Sequence, residues 1–399
     1  MGLFRTATVP CPYCYHKIDP KKVHYRCTGR NAPGRPRCSK SEDPARVAEL
    51  GDATPTYPTF DHEPGRLPRR SPPECPSCSG PTSIRVCPVC HSTLPANFTV
   101  NSPLFGIVGV RGSGKTVMLT MMTQELKTTV ARRFQAAIDD VGSSRLLAKL
   151  GTMRDEMTSG DRRLPDQTAV YSRSETVPAV FEWQLPREGF RHTRTASTIL
   201  SFYDTSGEDL ANVDTAREQY YLAAADGIIL LLDPFGFPEN KRVAVGRGVD
   251  PNSLRDEPVT VLHHVTELLR EADHLPPDKM IKRPIAVVVA KIDAFFDQVG
   301  PDHPIRKPSV TGPFFAEQES LDLHNHVAAL ISQWGGDNVL TMLARNYEQG
   351  SYRLFVASAL GSEPDYRTGT ASSRGVQPHR VTEPLLWLMA RRKFIRSDG

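Results

Sequence analysis

Residues Gly109 to Thr116 read Gly-Val-Arg-Gly-Ser-Gly-Lys-Thr, and no other stretch limits the fold of this chain as strongly. The octet fits G-x-x-x-x-G-K-[ST]: glycines let successive backbone N–H groups curl around a phosphate, and the helix that follows adds positive potential at its N-terminus. That geometry requires a strand before the loop and a helix after it. Leu104 to Val108 is apolar enough for a buried strand, and Val117 to Met122 opens a helical pattern. Gly109, Arg111, Gly112, Ser113, Gly114, Lys115 and Thr116 are therefore the nucleotide-binding candidates of this loop. Lys115 is expected to reach the β- and γ-phosphates, which gives it a catalytic role as well, and Thr116 to offer its hydroxyl to Mg²⁺. Arg111 is expected to point to solvent.

Three later segments bear on which nucleotide is bound. Ile199 to Tyr203 is strand-like and runs into Asp204-Thr205-Ser206-Gly207-Glu208. At the end of such a strand, Asp204 can hold Mg²⁺ through water and the Gly207 N–H can contact a γ-phosphate. Ile285 to Val289 is a second apolar run, ending in Ala290-Lys291-Ile292-Asp293. A carboxylate at Asp293 can accept from N1–H and N2–H of guanine, a pair of donors that adenine lacks, while the Lys291 stem lies along the base. Leu354 to Ala357 leads into Ser358-Ala359, whose backbone is placed to meet the guanine carbonyl.

In order and strand placement these segments resemble the translation-factor-like (TRAFAC) class of P-loop GTPases, over roughly residues 102–395. The resemblance implies GTP as substrate, and it implies a threonine upstream of the second strand that closes over Mg²⁺ and the γ-phosphate. Thr168 is the candidate, ahead of Thr176 and Ser172. Two positions depart from the family pattern: Ala290 stands where Asn or Thr usually braces the loop, and Glu208 where glutamine usually orients the attacking water. A carboxylate at Glu208 acts as a base or repels the γ-phosphate, which implies slow or partner-dependent hydrolysis. Zinc ribbons ahead of such a core resemble the double-GTPase families proposed for bacterial conflict and signalling systems, where GTPases serve as switches or assembly factors.

All eight cysteines lie in the first hundred residues. Cys75-x₂-Cys78 and Cys87-x₂-Cys90 are two knuckles with the spacing of a four-thiolate Zn²⁺ site. Cys11-x₂-Cys14 with Cys27 and Cys38 reads as a second ribbon with a widened loop, which gives two structural zinc ions in all. Disulfides are the competing reading. They suit secreted chains, whereas this sequence opens on no apolar signal segment and holds no 18-residue apolar run, so a cytoplasmic setting is expected.

The chain thus divides into ribbon 1 (1–40), a proline-rich and largely extended linker (41–73), ribbon 2 (74–98) and a P-loop GTPase domain (99–399). Helices are expected near 116–138, 143–158, 259–272, 319–334 and 382–395. Strands are expected near 104–109, 177–185, 196–203, 227–232, 284–290 and 353–357. The alternation implies an α/β fold: a mainly parallel sheet with helices on both faces, and one antiparallel pair at an edge. Phe235 to Pro258 is rich in Gly, Pro and charge and is expected to be a surface loop. The first hundred residues hold 14 Lys+Arg against 8 Asp+Glu, an excess that two Cys₄ zinc centres would largely cancel. No dense basic stripe supports nucleic acid binding. The expected function is a Mg²⁺-dependent, GTP-hydrolysing switch that acts on a protein partner through its switch segments and ribbons. The alternatives are a nucleotide-binding scaffold with little hydrolysis and a P-loop ATPase.

Overall fold

A computed structural model describes residues 8–62, 72–95, 98, 103–109, 112–141, 145–165, 178–187, 194–202, 221–254 and 257–399. The N-terminal part is built from very short strands: β1 (Val9–Pro10), β2 (Lys17–Ile18), β3 (His24–Arg26), β4 (Thr59–Phe60) and β5 (Arg85–Val86). β3 pairs antiparallel with both β4 and β5. Between β3 and β4 lies helix α1 (Pro44–Leu50), inside the segment expected to be an extended linker. Asp43 caps it by accepting from Ala45 N, Gly51 ends it at φ 65°, and Leu50 is fully buried. Proline at the first helical turn costs no hydrogen bond, which is why this proline-rich stretch still holds a helix.

The larger part carries a parallel sheet with strand order β12-β11-β10-β6: β6 (Phe105–Gly109), β10 (Gly227–Leu232), β11 (Ile285–Val289) and β12 (Tyr352–Val356). β6, β10 and β11 are buried at every residue, as expected of parallel strands covered on both faces. Alternate residues face opposite ways. Ile228, Leu230, Val287, Leu354 and Val356 join one core with α5 (Pro258–Ala272), α6 (Glu317–Gln333) and α7 (Asp337–Asn346). Ile107, Ile229, Leu231, Val288 and Phe355 join the other with α2 (Lys115–Glu125) and α8 (Glu383–Arg391). α2 continues through a π turn (Leu126–Val130) into Ala131–Phe134.

An antiparallel sheet, β7-β8-β9, stands beside β6: β7 (Ala137–Asp140), β8 (Ala179–Arg187) and β9 (Arg194–Phe202). A parallel bridge between Leu104 and Ser201 joins β9 to the start of β6. The antiparallel pair is the expected one, but β7 and not β8 forms its outer edge. Helix α3 (Arg145–Thr158) fills the gap expected to be helical. The segment after β10 departs from expectation. It folds as short 3₁₀ turns and α4 (Lys241–Arg247), because Phe235 and Phe237 are buried against Phe295 and Trp334 and anchor it to the core.

Candidate functional site

Of the octet, Gly109 ends β6, Gly112 to Gly114 lead into α2, and Lys115 and Thr116 open that helix. Gly112 and Gly114 adopt φ 77° and 86°, a region that glycine enters without steric cost. A Cβ on Gly109 would lie 2.8 Å from the Leu231 carbonyl oxygen, so the end of β6 also has no room for a side chain. Lys115 is buried and its Nζ donates to the Gly109 carbonyl at 2.6 Å, which folds the ammonium into its own loop. Ser113 is fully buried, and its hydroxyl has no hydrogen-bond partner among the described residues. Thr116 stands in the first turn of α2, at the electropositive helix end. Arg111 lies outside the described residues, as do Thr168, Asp204, Gly207 and Glu208.

The base-side candidates converge on the same end of the sheet. Lys291 follows β11 in a left-handed conformation, φ 50°. Its stem runs beside the phosphate loop, since a Cβ on Gly114 would lie 3.9 Å from Lys291 Cε. Two residues on, burial raises the pKa of Asp293 above the ordinary carboxylate value, against the opposing pull of the Ser358 hydroxyl, a backbone N–H and Lys291. Ser358, fully buried after β12, accepts from Gly361 N at 2.7 Å, which orients its hydroxyl toward Asp293. Ala359 is packed against the α2–α8 core. Phosphate loop, Lys291–Asp293 and Ser358–Ala359 thus meet at the carboxyl ends of β6, β11 and β12.

Two residues absent from the sequence reading also touch this site. Asp233, 3% exposed at the end of β10, accepts from Lys291 Nζ at 2.7 Å. Arg247, on α4, donates to the Ala294 carbonyl and reaches Glu363 at 2.9 Å and Asp297 at 3.3 Å. A single carboxylate after an apolar strand and a lone arginine belong to no spacing pattern, so the sequence offered no signal for either.

The cysteines form two groups, but not the two expected. Cys11, Cys14, Cys87 and Cys90 make one, and Cys27, Cys38, Cys75 and Cys78 the other; within each, all four sulfurs lie within 4.8 Å of one another. The division into a ribbon at 1–40 and another at 74–98 is therefore corrected. Antiparallel pairing of β3 with β5 is the cause: Arg26 N donates to Ile84 O at 2.9 Å, which sets Cys27 beside the knuckle before β5 and the Cys11 knuckle beside the one after it. Sulfur pairs stand 3.5 to 3.8 Å apart, far beyond the roughly 2.05 Å of a disulfide. Four thiolates about 2.3 Å from one tetrahedral ion would be about 3.8 Å from each other, so both groups fit a metal. Three knuckles share one backbone form. The residue four after the first cysteine donates back to that cysteine's carbonyl and has positive φ: Tyr15, Ser79 and His91.

The first cysteine group is packed against the nucleotide-binding part. Its side chains share a core with Val180 of β8 and Ile199 of β9. Ser201 Oγ donates to the Pro12 carbonyl at 2.6 Å, and the Tyr15 ring lies 4.9 Å from that of Tyr221. Tyr221 in turn donates to Phe105 O and accepts from Ile107 N, within the strand that feeds the phosphate loop. No helix among the described residues is long and apolar enough to cross a membrane.

Over 95% of its length the chain is 23% identical to a Mycolicibacterium smegmatis protein named "Putative ESX-1 scaffolding and assembly protein SaeC", covering 97% of that protein. Among solved structures, the S. cerevisiae Ski7 GTPase-like domain bound to GDP and inorganic phosphate matches at 11% identity and TM-score 0.32, over 73% of this chain and 50% of that one. Bacterial selenocysteine-specific elongation factor EF-Sec matches at 16% identity and TM-score 0.23, over 65% and 26%. The chain spans half or less of those two structures. The family described as Double-GTPase 2 matches residues 104–332, more than half of the chain and the whole span from β6 through α6 apart from its last residue. The chain belongs to the double-GTPase 2 family.

Proposed function

We propose that this protein binds GTP with Mg²⁺ and works as a slowly hydrolysing switch in the assembly of a protein complex. The observation that carries the reading is the meeting of Lys115, Asp293 and Ser358 at one end of the sheet. A phosphate loop alone serves any nucleotide, whereas a buried carboxylate held by Ser358 matches the paired donors of guanine. In this reading Lys115 neutralises the β- and γ-phosphates. Thr116, with Asp204, would hold Mg²⁺, whose positive charge would offset the negative charge of the phosphates. Thr168, Gly207 and Glu208 are the switch residues that respond to the γ-phosphate, and Glu208 in place of glutamine supports slow turnover. The two four-cysteine groups hold structural zinc, and with every position taken by protein they leave none open for catalysis. A role in assembly is supported by the name of the M. smegmatis relative.

A scaffold that binds nucleotide with little hydrolysis is the second reading, favoured by that same name and by Glu208. Purified protein should retain GTP over ATP, and Lys115→Ala should lose retention with its melting temperature unchanged. Retention of ATP in preference to GTP would replace the proposal with an ATPase. GTP turnover with and without an interacting protein separates switch from scaffold.

A further inference from the structure

Residue 290 lies directly before the guanine-side loop, and Ala290, 5% exposed, has no polar side-chain atom with which to hold it. The loop nevertheless adopts a demanding shape: Lys291 is left-handed at φ 50°, a conformation disfavoured for a residue with a Cβ. The neighbouring strand supplies what residue 290 lacks. Asp233 Oδ1 accepts from Phe235 N at 3.0 Å and caps the 3₁₀ turn after β10. Its other oxygen takes the Lys291 ammonium at 2.7 Å. The cap by itself needs only a neutral acceptor, since Asn and Ser cap helical turns as well as Asp does. A carboxylate 3% exposed is expensive to bury, and it is tolerable here because the ammonium pairs with it. The ion pair pulls Lys291 Nζ toward β10, so the lysine stem is stretched alongside Gly114 and over the Phe235 ring, 5.8 Å from Nζ to the ring centre.

We infer that Asp233 is a positioning residue for nucleotide recognition: it acts through Lys291 to hold the Lys291–Asp293 loop in place of the brace missing at residue 290. The inference rests on reading that loop as the guanine site. Asp233→Asn keeps the cap and removes the charge, and Asp233→Ser does the same with a smaller acceptor should the first variant fold poorly. GTP and ATP binding to the full chain would be measured for wild type, Asp233→Asn, Lys291→Met and the double variant, with melting temperatures alongside. The expected result is an affinity for GTP lower by on the order of tenfold in Asp233→Asn, and no further loss when the change is added to Lys291→Met. Equal losses in both backgrounds would make Asp233 a general stabiliser and overturn the inference. Unchanged GTP affinity in Asp233→Asn would overturn it while leaving the guanine reading intact. A wild type that prefers ATP would overturn both.

Discussion

In the proposed guanine site, Asp293 has to be a carboxylate in surroundings that disfavour one. Burial pushes its pKa above the ordinary 3.8, with Ser358, a backbone N–H and Lys291 pulling the other way. Across the window above 3.8 the folded chain binds more proton at this site than the unfolded chain, so its contribution to stability falls as pH rises through that window. A base that donates two N–H groups to the carboxylate reverses the balance. GTP affinity should therefore weaken on acidification at a higher pH than an exposed aspartate would dictate, and Asp293→Asn should remove that dependence. The same variant should lose about 3 kcal/mol of GTP binding and gain XTP, whose 2-position oxygen accepts from an amide. Competition among GTP, XTP and ATP at several pH values tests both; unchanged GTP preference in the variant would end the assignment. The positions of Lys115, Asp293 and Ser358 just after β6, β11 and β12 were readable in the sequence because their spacing to those strands is fixed. Asp233 was not, because its partner Lys291 is 58 residues away and only strand adjacency joins them.

At the scale of elements, the apolar strands and long helices were legible because each buries a continuous run or one face of a helix. Strands of two or three residues were not: His-Tyr-Arg and Arg-Val carry no periodicity, yet the pairing of β3 with β5 decides which cysteines meet. The segment around Phe235 misled for a related reason, since its Gly, Pro and charge outnumber the two phenylalanines that fix it. One helix–strand contact has a pH signature. β12 lies at the end of the parallel sheet, and its Leu354 N–H donates to His324 Nδ1 on α6 at 3.0 Å. Burial first, then the nearby Arg353, lowers the pKa of His324 from 6.5 to about 4. Unfolded chains take up this proton near 6.5 and folded ones only near 4, so stability held above 6.5 is lost as pH falls toward 4. The melting temperature should drop between pH 7 and pH 5, and His324→Asn, a non-titrating acceptor, should flatten part of that drop. An identical profile in the variant would remove His324 as its source.

For the whole molecule, the first cysteine group is part of the nucleotide-binding architecture and not an appendage to it. It shares a core with β8 and β9; Pro12 of its first knuckle meets Ser201, and Tyr15, next after that knuckle, meets Tyr221, the two contacts standing on either side of residues 203–220 in the chain. Interleaving of the cysteines is directly testable in the intact chain. Wild type should bind about two zinc ions. Changing Cys11 and Cys14 to serine should remove one, and adding Cys87→Ser and Cys90→Ser should remove no more. Adding Cys75→Ser and Cys78→Ser instead should remove the second. In elemental analysis, loss of the second zinc on adding Cys87→Ser and Cys90→Ser to the Cys11 and Cys14 changes would restore the sequential pairing of the cysteines.

Interleaving also imposes an order in time. As the chain leaves the ribosome, Cys14 waits 73 residues for Cys87, while Cys27 waits 51 for Cys78. The inner centre can close first, and the outer one closes around it when Cys90 emerges. All eight cysteines precede Ala179, the first residue of β8, in the chain. With zinc in both groups, as proposed, the hairpin that leads toward Asp204 would form against a finished metal-bound surface, and a shortage of zinc would be felt during synthesis, before any nucleotide could be held.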